Sequence, residues 1–253
     1  MVDEMPVALV TAAAGAGIGA AVARRLASDG FDVVVTDAHE RRCREFARVL
    51  SAELGRDFLS YHLDVTDHAQ VRTVIDDVVA RRGRLDVLVN NAGWSKIEPV
   101  AEMSLETWQR CLDVDLTGTF VCMRYALPTM IAGGGGSVIN ISSIAAWEMS
   151  ADHGAAYSAA KAGVLALTRV AAAENGVHGV RVNAVAPGLI HNEFLRRIYP
   201  DEFFDQYLSD KAFLGRIGRP DDVAGMVSFL ASDEAGYVTG EVFTVSGGVS
   251  ARG

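Results

Sequence analysis

A chain of 253 residues, 50% of them hydrophobic and 22% charged, carries enough apolar material for a sizeable core and is not a disordered tail or a small disulfide-stapled domain. Its 32 acidic residues outnumber 23 basic ones, for a formal net charge of −9. That excess argues against nucleic acid or an anionic membrane surface as the main partner, because both reward a basic face.

The three cysteines, Cys43, Cys111 and Cys122, are odd in number and form no C-x-x-C pair. They read as reduced thiols in a cytoplasmic protein. The six histidines show no zinc-like spacing, so no metal is expected. The N-terminal residues are acidic and lack the basic-then-apolar order of a signal peptide, and no apolar run approaches the roughly 20 residues of a membrane span.

In chain order, short β-branched runs alternate with amphipathic stretches. Strands are predicted at Val7–Thr11, Asp32–Asp37, Phe58–Asp64, Val87–Asn90, Ser137–Ile141, Val180–Val185 and Val242–Val245. Helices are predicted at Ala20–Ser28, Arg41–Leu54, Ala69–Arg82, Leu105–Ile131, Ala155–Asn175 and Pro220–Ala231. Several strands are apolar almost throughout, as parallel strands buried on both faces are. The alternation implies an α/β fold, a parallel sheet with helices on both faces. No linker divides residues 1–253, which read as a single domain. Leu189–Leu214 breaks the alternation with an irregular, aromatic-rich insertion.

The first strand runs into a loop holding Gly15, Gly17 and Gly19, with Ile18 opening a helical pattern. Glycines there let the backbone approach a pyrophosphate, while the helix N-terminus supplies N–H donors and the positive dipole end. Asp37 closes the next strand 20 residues beyond Gly17. A carboxylate at that distance meets the adenosine ribose 2′-hydroxyl and repels a 2′-phosphate, so NAD is the expected cofactor and NADP the less favoured one. Arg41 and Arg42, close by, could soften that preference.

Tyr157 and Lys161 stand at i and i+4 of a helical pattern, so phenol and ammonium share one face. The ammonium is expected to lower the tyrosine pKa and make it a proton donor and acceptor near neutrality. Ser143 follows a strand 14 residues upstream, where its hydroxyl would hold a carbonyl oxygen beside the phenol.

Together these pieces resemble the short-chain dehydrogenase/reductase family. The resemblance spans the chain and adds Asp64 and Val65, Asn90 to Gly93, Pro187 and Gly188, Thr239 and Gly240, and Ser246 to Gly248. It is nearest to the branch of 3-oxoacyl-carrier-protein reductases and 3-hydroxyacyl-CoA or hydroxysteroid dehydrogenases. It implies a seven-stranded Rossmann sheet and hydride transfer between nicotinamide and a carbonyl or secondary alcohol. Tyr157 would be the acid/base. Lys161 would lower its pKa and hold the nicotinamide ribose, and Ser143 would polarise the substrate oxygen. Asp64, with Val65, would contact adenine, Asn91, Ala92 and Gly93 the adenosine side, and Pro187, Gly188 and Ile190 the nicotinamide. A homotetramer is the usual assembly. The alternative reading is a non-catalytic dinucleotide-binding protein on the same fold.

Three departures stand out. Ala12 replaces a glycine and the loop to Gly17 is one residue longer than usual. Asp115 stands where the family has an asparagine supporting a proton relay to the lysine, which makes it a candidate catalytic residue. Asn192 stands where a threonine often follows the Pro-Gly pair. On the substrate side, the resemblance makes 189–214 a lid. Its aromatics, Phe203, Phe204 and Tyr207 among them, either line an apolar pocket or pack the lid on itself. Trp94, Trp147 and Met149 are further pocket candidates.

Overall fold

The computed structural model describes residues 5–148, 153–191, 203, 207 and 212–250. One sheet of seven parallel strands organises the chain: β1 (Val7–Val10), β2 (Asp32–Asp37), β3 (Ser60–His62), β4 (Val87–Asn90), β5 (Gly136–Ile141), β6 (Val180–Pro187) and β7 (Val242–Val245). Their spatial order is β3-β2-β1-β4-β5-β6-β7. The chain winds outward from β1 to β3, returns to β4 beside β1, and then winds the other way. Helices α1 (Ile18–Ser28), α2 (Glu40–Leu54), α3 (His68–Arg82), α4 (Leu105–Leu112), α5 (Gly118–Ala132), α6 (Ala155–Asn175) and α7 (Pro220–Ala231) cover both faces.

The strands alternate between two cores. Ala8, Val10, Val33, Val35, Val87, Val89 and Ile139 pack under α1, α2 and α7. Val7, Leu9, Val34, Leu88 and Val138 face α3, α5 and α6. The inner strands β1, β2, β4, β5 and β6 bury both sets of side chains, which explains why their sequences read as almost continuously apolar. Each such Val or Leu contributes roughly 1.5–3 kcal/mol of transfer free energy. A buried polar chain crosses this packing: Asn90 Nδ2 donates to Asn140 Oδ1 at 2.8 Å, and Asn140 Nδ2 to Thr168 Oγ1 at 3.0 Å. It ties β4, β5 and α6 together without leaving Asn140 Nδ2 unpaired, which would cost about 1–3 kcal/mol.

The expected strand at 58–64 is shorter. It pairs with β2 only over Ser60–His62 at the sheet edge, and the chain then turns at Asp64, whose Oδ1 accepts from the Thr66 N–H and hydroxyl. The predicted helix over 105–131 is interrupted. Asp113–Thr117 form a π-turn between α4 and α5, an extra-residue bulge of the kind often found where a helix must aim a side chain. Most of 189–214, including Asn192 and Phe204, lies outside the described residues, as does Met149.

Candidate active site

Parallel open sheets bind ligands outside the carboxyl ends of their strands, where the winding reverses. Here that place lies between β1 and β4. The loop after β1 begins with Ala12 at φ +50, the one non-glycine with a left-handed backbone among the described residues. Ala12 adopts the conformation a glycine would take more cheaply, at about 1–2 kcal/mol of strain. The added residue is accommodated at Gly15, φ +109. A Cβ on Gly15 or Gly17 would meet nothing within 4 Å, so the loop faces open space, and no side chain caps the N-terminus of α1. Open backbone at an uncapped helix N-terminus fits a pyrophosphate. Gly19 has the opposite reason: a Cβ there would collide with Ala12 O and Asn91 Nδ2.

Asp37 is 4% exposed and borders this loop. Its Oδ2 accepts from Ala14 N at 3.3 Å and its Oδ1 from His39 N at 2.8 Å. Arg42 and the His39 ring stand 3.6 and 3.4 Å from Oδ1. Asp64 is exposed beyond β3. Val65 turns inward instead: a Cβ on Gly118 would strike its side chain, so only the Val65 backbone can face a ligand. Asn91 is likewise committed. Its Nδ2 donates to Thr11 O at 3.0 Å and Ala12 O at 3.1 Å, while Asn91 N and Ala92 N both donate to Thr11 Oγ1. These bonds clamp the glycine loop to β4. Among the described residues no three His, Cys, Asp or Glu side chains group as metal ligands.

Helix α6 brings Tyr157 and Lys161 beside the end of β5. The Lys161 ammonium lies 5.5 Å from the Tyr157 ring centroid, and the Ser143 hydroxyl, like that ammonium, favours the ionised phenol. The Ser143 Oγ also accepts from Ala145 N at 3.1 Å, which fixes its rotamer. Lys161 is 3% exposed and donates to Ile141 O at 3.0 Å. Its other partner is Asp115 Oδ1 at 3.0 Å, delivered by the π-turn; Asp115 is fully buried, and its Oδ2 accepts from Trp94 N at 2.8 Å. Gly163 lets α6 approach the π-turn, since a Cβ there would press on Leu116 at 2.8 Å.

This geometry corrects one expectation. Lys161 does pull the Tyr157 pKa down, but burial outweighs it and Asp115 adds to the upward push, so the phenol ionises above its ordinary value. Lys161 itself is raised: the charges of Asp115 and Tyr157 overcome the cost of burial. Cys111, 4.0 Å from Asp115 Oδ2, is pushed up to about 12 by burial and then by that carboxylate, so it is an inert thiol.

At the other side of the mouth, Gly188 N donates to Val245 O at 3.0 Å, and Leu189 N to the Tyr207 hydroxyl at 3.2 Å. Ile190 is buried in the core and pairs with Gly218 as an isolated bridge, so its side chain points away from the cleft. Thr239 and Gly240 bond to Val182 and close β7 onto β6. Two contacts had no local sequence signal: Lys161 to Ile141 O, and Trp147 to Ser250, 103 residues away. A cleft of about 890 Å³ between α6, α7 and β7 includes Leu165, Phe213, Met226 and Phe243 but neither Ser143 nor Tyr157. The proton-transfer groups therefore lie outside it.

The family model described as enoyl-(acyl carrier protein) reductase matches residues 12–250. The chain is 48% identical, over 95% of its length and 91% of the relative's, to the (5R,7aS)-5-hydroxy-7a-methyl-1-oxo-2,3,5,6,7,7a-hexahydro-1H-indene-carboxyl-CoA reductase of Mycobacterium tuberculosis. It is 41% identical to the cis-4-hydroxycyclohexanecarboxylate dehydrogenase of Sinomonas cyclohexanicum, over 97% of this chain and 96% of that one. Among solved structures, a short-chain dehydrogenase from Mycobacterium smegmatis superposes with a TM-score of 0.84 at 41% identity, covering 99% of this chain and 94% of that one. A tyrosine and lysine on one helix face, a serine at the adjoining strand end and near-full-length matches of this kind agree with one another: the chain belongs to the short-chain dehydrogenase/reductases, oxidoreductases of alcohols and ketones.

Proposed function

We propose that the protein is an NAD(H)-dependent oxidoreductase that interconverts a ring ketone and its secondary alcohol on an apolar carbocycle bearing a carboxyl or acyl-thioester group. The observation that carries the chemistry is the convergence of Ser143, Tyr157 and Lys161 at the end of β5. The ring is suggested by the two relatives, whose names both specify hydroxylated carbocycles. Asp37 beside the glycine loop supports NAD over NADP, because a 2′-phosphate would meet its charge.

A bound nicotinamide dinucleotide supplies or accepts the hydride. Gly15, Gly17 and the first turn of α1 would hold its pyrophosphate, and Asp37 a ribose hydroxyl. Asp64, Val65, Asn91, Ala92 and Gly93 would border its adenosine half, and Pro187, Gly188 and Ile190 the nicotinamide end. In reduction the Tyr157 hydroxyl gives its proton to the carbonyl oxygen while the carbon takes the hydride. Ser143 hydrogen-bonds that oxygen and orients it. The phenolate left behind is stabilised by Lys161, which Asp115 and Ile141 O hold in place as an ammonium. Exposed Leu105, Trp108 and Phe120 along α4 and α5, with Val170 on α6, support assembly into a homotetramer, and the free thiols support a cytoplasmic setting.

The test is NADH and NADPH oxidation against a panel of cyclic ketones, 3-oxoacyl thioesters and short polar ketones. Tyr157→Phe is expected to lower kcat by roughly 10²–10⁴-fold while dinucleotide binding, read by nicotinamide fluorescence, is retained. Binding without turnover of any ketone would favour the non-catalytic reading.

A further inference from the structure

The last described turn of the chain returns to the loop behind Ser143. Ser250 is 4% exposed. Its hydroxyl accepts from Trp147 Nε1 at 2.6 Å and gives its own proton to Glu148 Oε1. A hydroxyl has one proton to give and lone pairs to receive, so this single group satisfies an indole N–H and a carboxylate at once. The approach is built by the backbone. Gly247 and Gly248 have φ +65 and +92, and a Cβ on Gly248 would press into the Phe213 ring at 2.6 Å. Only glycine turns there, directly after β7, and the turn brings Ser250 under Trp147.

Trp147 and Glu148 close the short 3-10 turn that Ser143 opens. Both backbone N–H groups donate to Ile144 O, at 3.1 and 2.9 Å, while the Ser143 Oγ caps Ala145. A third segment meets them. The Tyr207 hydroxyl receives the Leu189 N–H, and a Cβ on Gly188 would meet both that hydroxyl and Ser246, whose Oγ accepts from Ser250 N at 3.3 Å. Chain leaving the carboxyl ends of β5, β6 and β7 thus meets around Ser250 and Glu148, at the end of the sheet where ligands bind.

We propose that Ser250 is a positioning residue: it fixes the Trp147–Glu148 turn as a wall of the substrate site, so the C-terminal turn sets affinity for the substrate and not for the dinucleotide. This rests on the oxidoreductase reading above. Without the hydroxyl, the indole N–H and the carboxylate lose a shared partner, and the turn rearranges to satisfy them.

The experiment compares wild type, Ser250→Ala, Trp147→Phe and the double variant, each checked for an unchanged fold by circular dichroism. Ser250→Ala is expected to raise the KM for the ketone about fivefold to tenfold. The KM for the dinucleotide stays within about twofold of wild type. The double variant is no worse than the worse single one, because both changes delete the same bond. Equal rises in the two KM values, or multiplying effects in the double variant, overturn the proposal. Hydrogen exchange gives a readout that needs no turnover. Ser250→Ala should exchange faster over residues 144–148 with 137–141 unchanged, and unaltered exchange over 144–148 overturns the proposal. Should the wild type reduce no ketone, the oxidoreductase reading falls and exchange alone decides the positioning role.

Discussion

Two buried carboxylates flank the carboxyl end of the sheet, and they are satisfied in opposite ways. Asp37 is held by two backbone N–H groups, from Ala14 and His39, and its cations, Arg42 and the His39 ring, stand at an exposed rim. Asp115 faces a dry interior, with one backbone N–H from Trp94 and one ammonium from Lys161. The surroundings decide what each charge does. Near water, the field of Asp37 is screened within a short distance, so it acts through contact, by accepting hydrogen bonds from whatever lies against it. In the low-dielectric core the charge of Asp115 reaches its neighbours with little screening, so it acts at a distance on Lys161 and Tyr157.

Removing each carboxylate sharpens that contrast, and the largest effect is expected at Asp115. Asp115→Ala leaves a buried ammonium without its counter-ion and should cost about 3–5 kcal/mol in chemical denaturation. Asp115→Asn keeps the shape and removes the charge. Because the anion favours the protonated phenol, its loss lowers the Tyr157 pKa. Alcohol oxidation requires phenolate, so the limb on which its rate rises with pH should move to lower pH, read in pH–rate profiles of kcat and kcat/KM. An unmoved limb would mean that the charge of Asp115 is not felt at the phenol.

Asp37→Ser should cost less stability, about 1 kcal/mol, since the lost bonds come from backbone groups near water. Its signature is selectivity: the ratio of kcat/KM with NADH to that with NADPH should fall by about tenfold, equivalent to about 1.4 kcal/mol. A wild-type preference for NADPH would reverse the assignment and turn attention to Arg42. The smallest effect is expected at Ala12. Ala12→Gly relieves about 1–2 kcal/mol of left-handed strain but frees the unfolded chain by about 0.5–1 kcal/mol. The net gain should lie between zero and about 1.5 kcal/mol, seen as a rise in Tm of at most a few degrees with dinucleotide affinity unchanged. A loss of stability would show that the Ala12 methyl contributes more through packing than its backbone costs.

The fold was legible wherever physics is local. β2, β4, β7, α6 and α7 begin and end where periodicity and flanking residues place them. Edge strand β3 is shorter than its apolar run because it has one neighbour to pair with, and Asp64 turns the chain after it. The π-turn at Asp113–Thr117 was hidden because its residues keep helical spacing on both sides, and the extra residue shows only in hydrogen-bond register. In the site, the residue types and their chain order were readable. The roles of Asn91, Val65 and Ile190 side chains in holding the loop or filling the core were not, since a motif does not say which face of a residue meets the protein.

The amino-acid sequence alone determined the doubly covered parallel sheet, the glycine loop with Asp37 beyond it, and the shared face of Tyr157 and Lys161. Each follows from spacing along the chain: a period of two on strands, 3.6 on helices, and a turn that only certain residues can make. Tertiary structure decided the sign of the Tyr157 shift, the pairing of Lys161 with Asp115 and the return of Ser250 to Trp147. These depend on how much water is excluded and on charges and hydroxyls brought from distant segments, and a field in a buried site is a sum over groups whose distances no local pattern encodes.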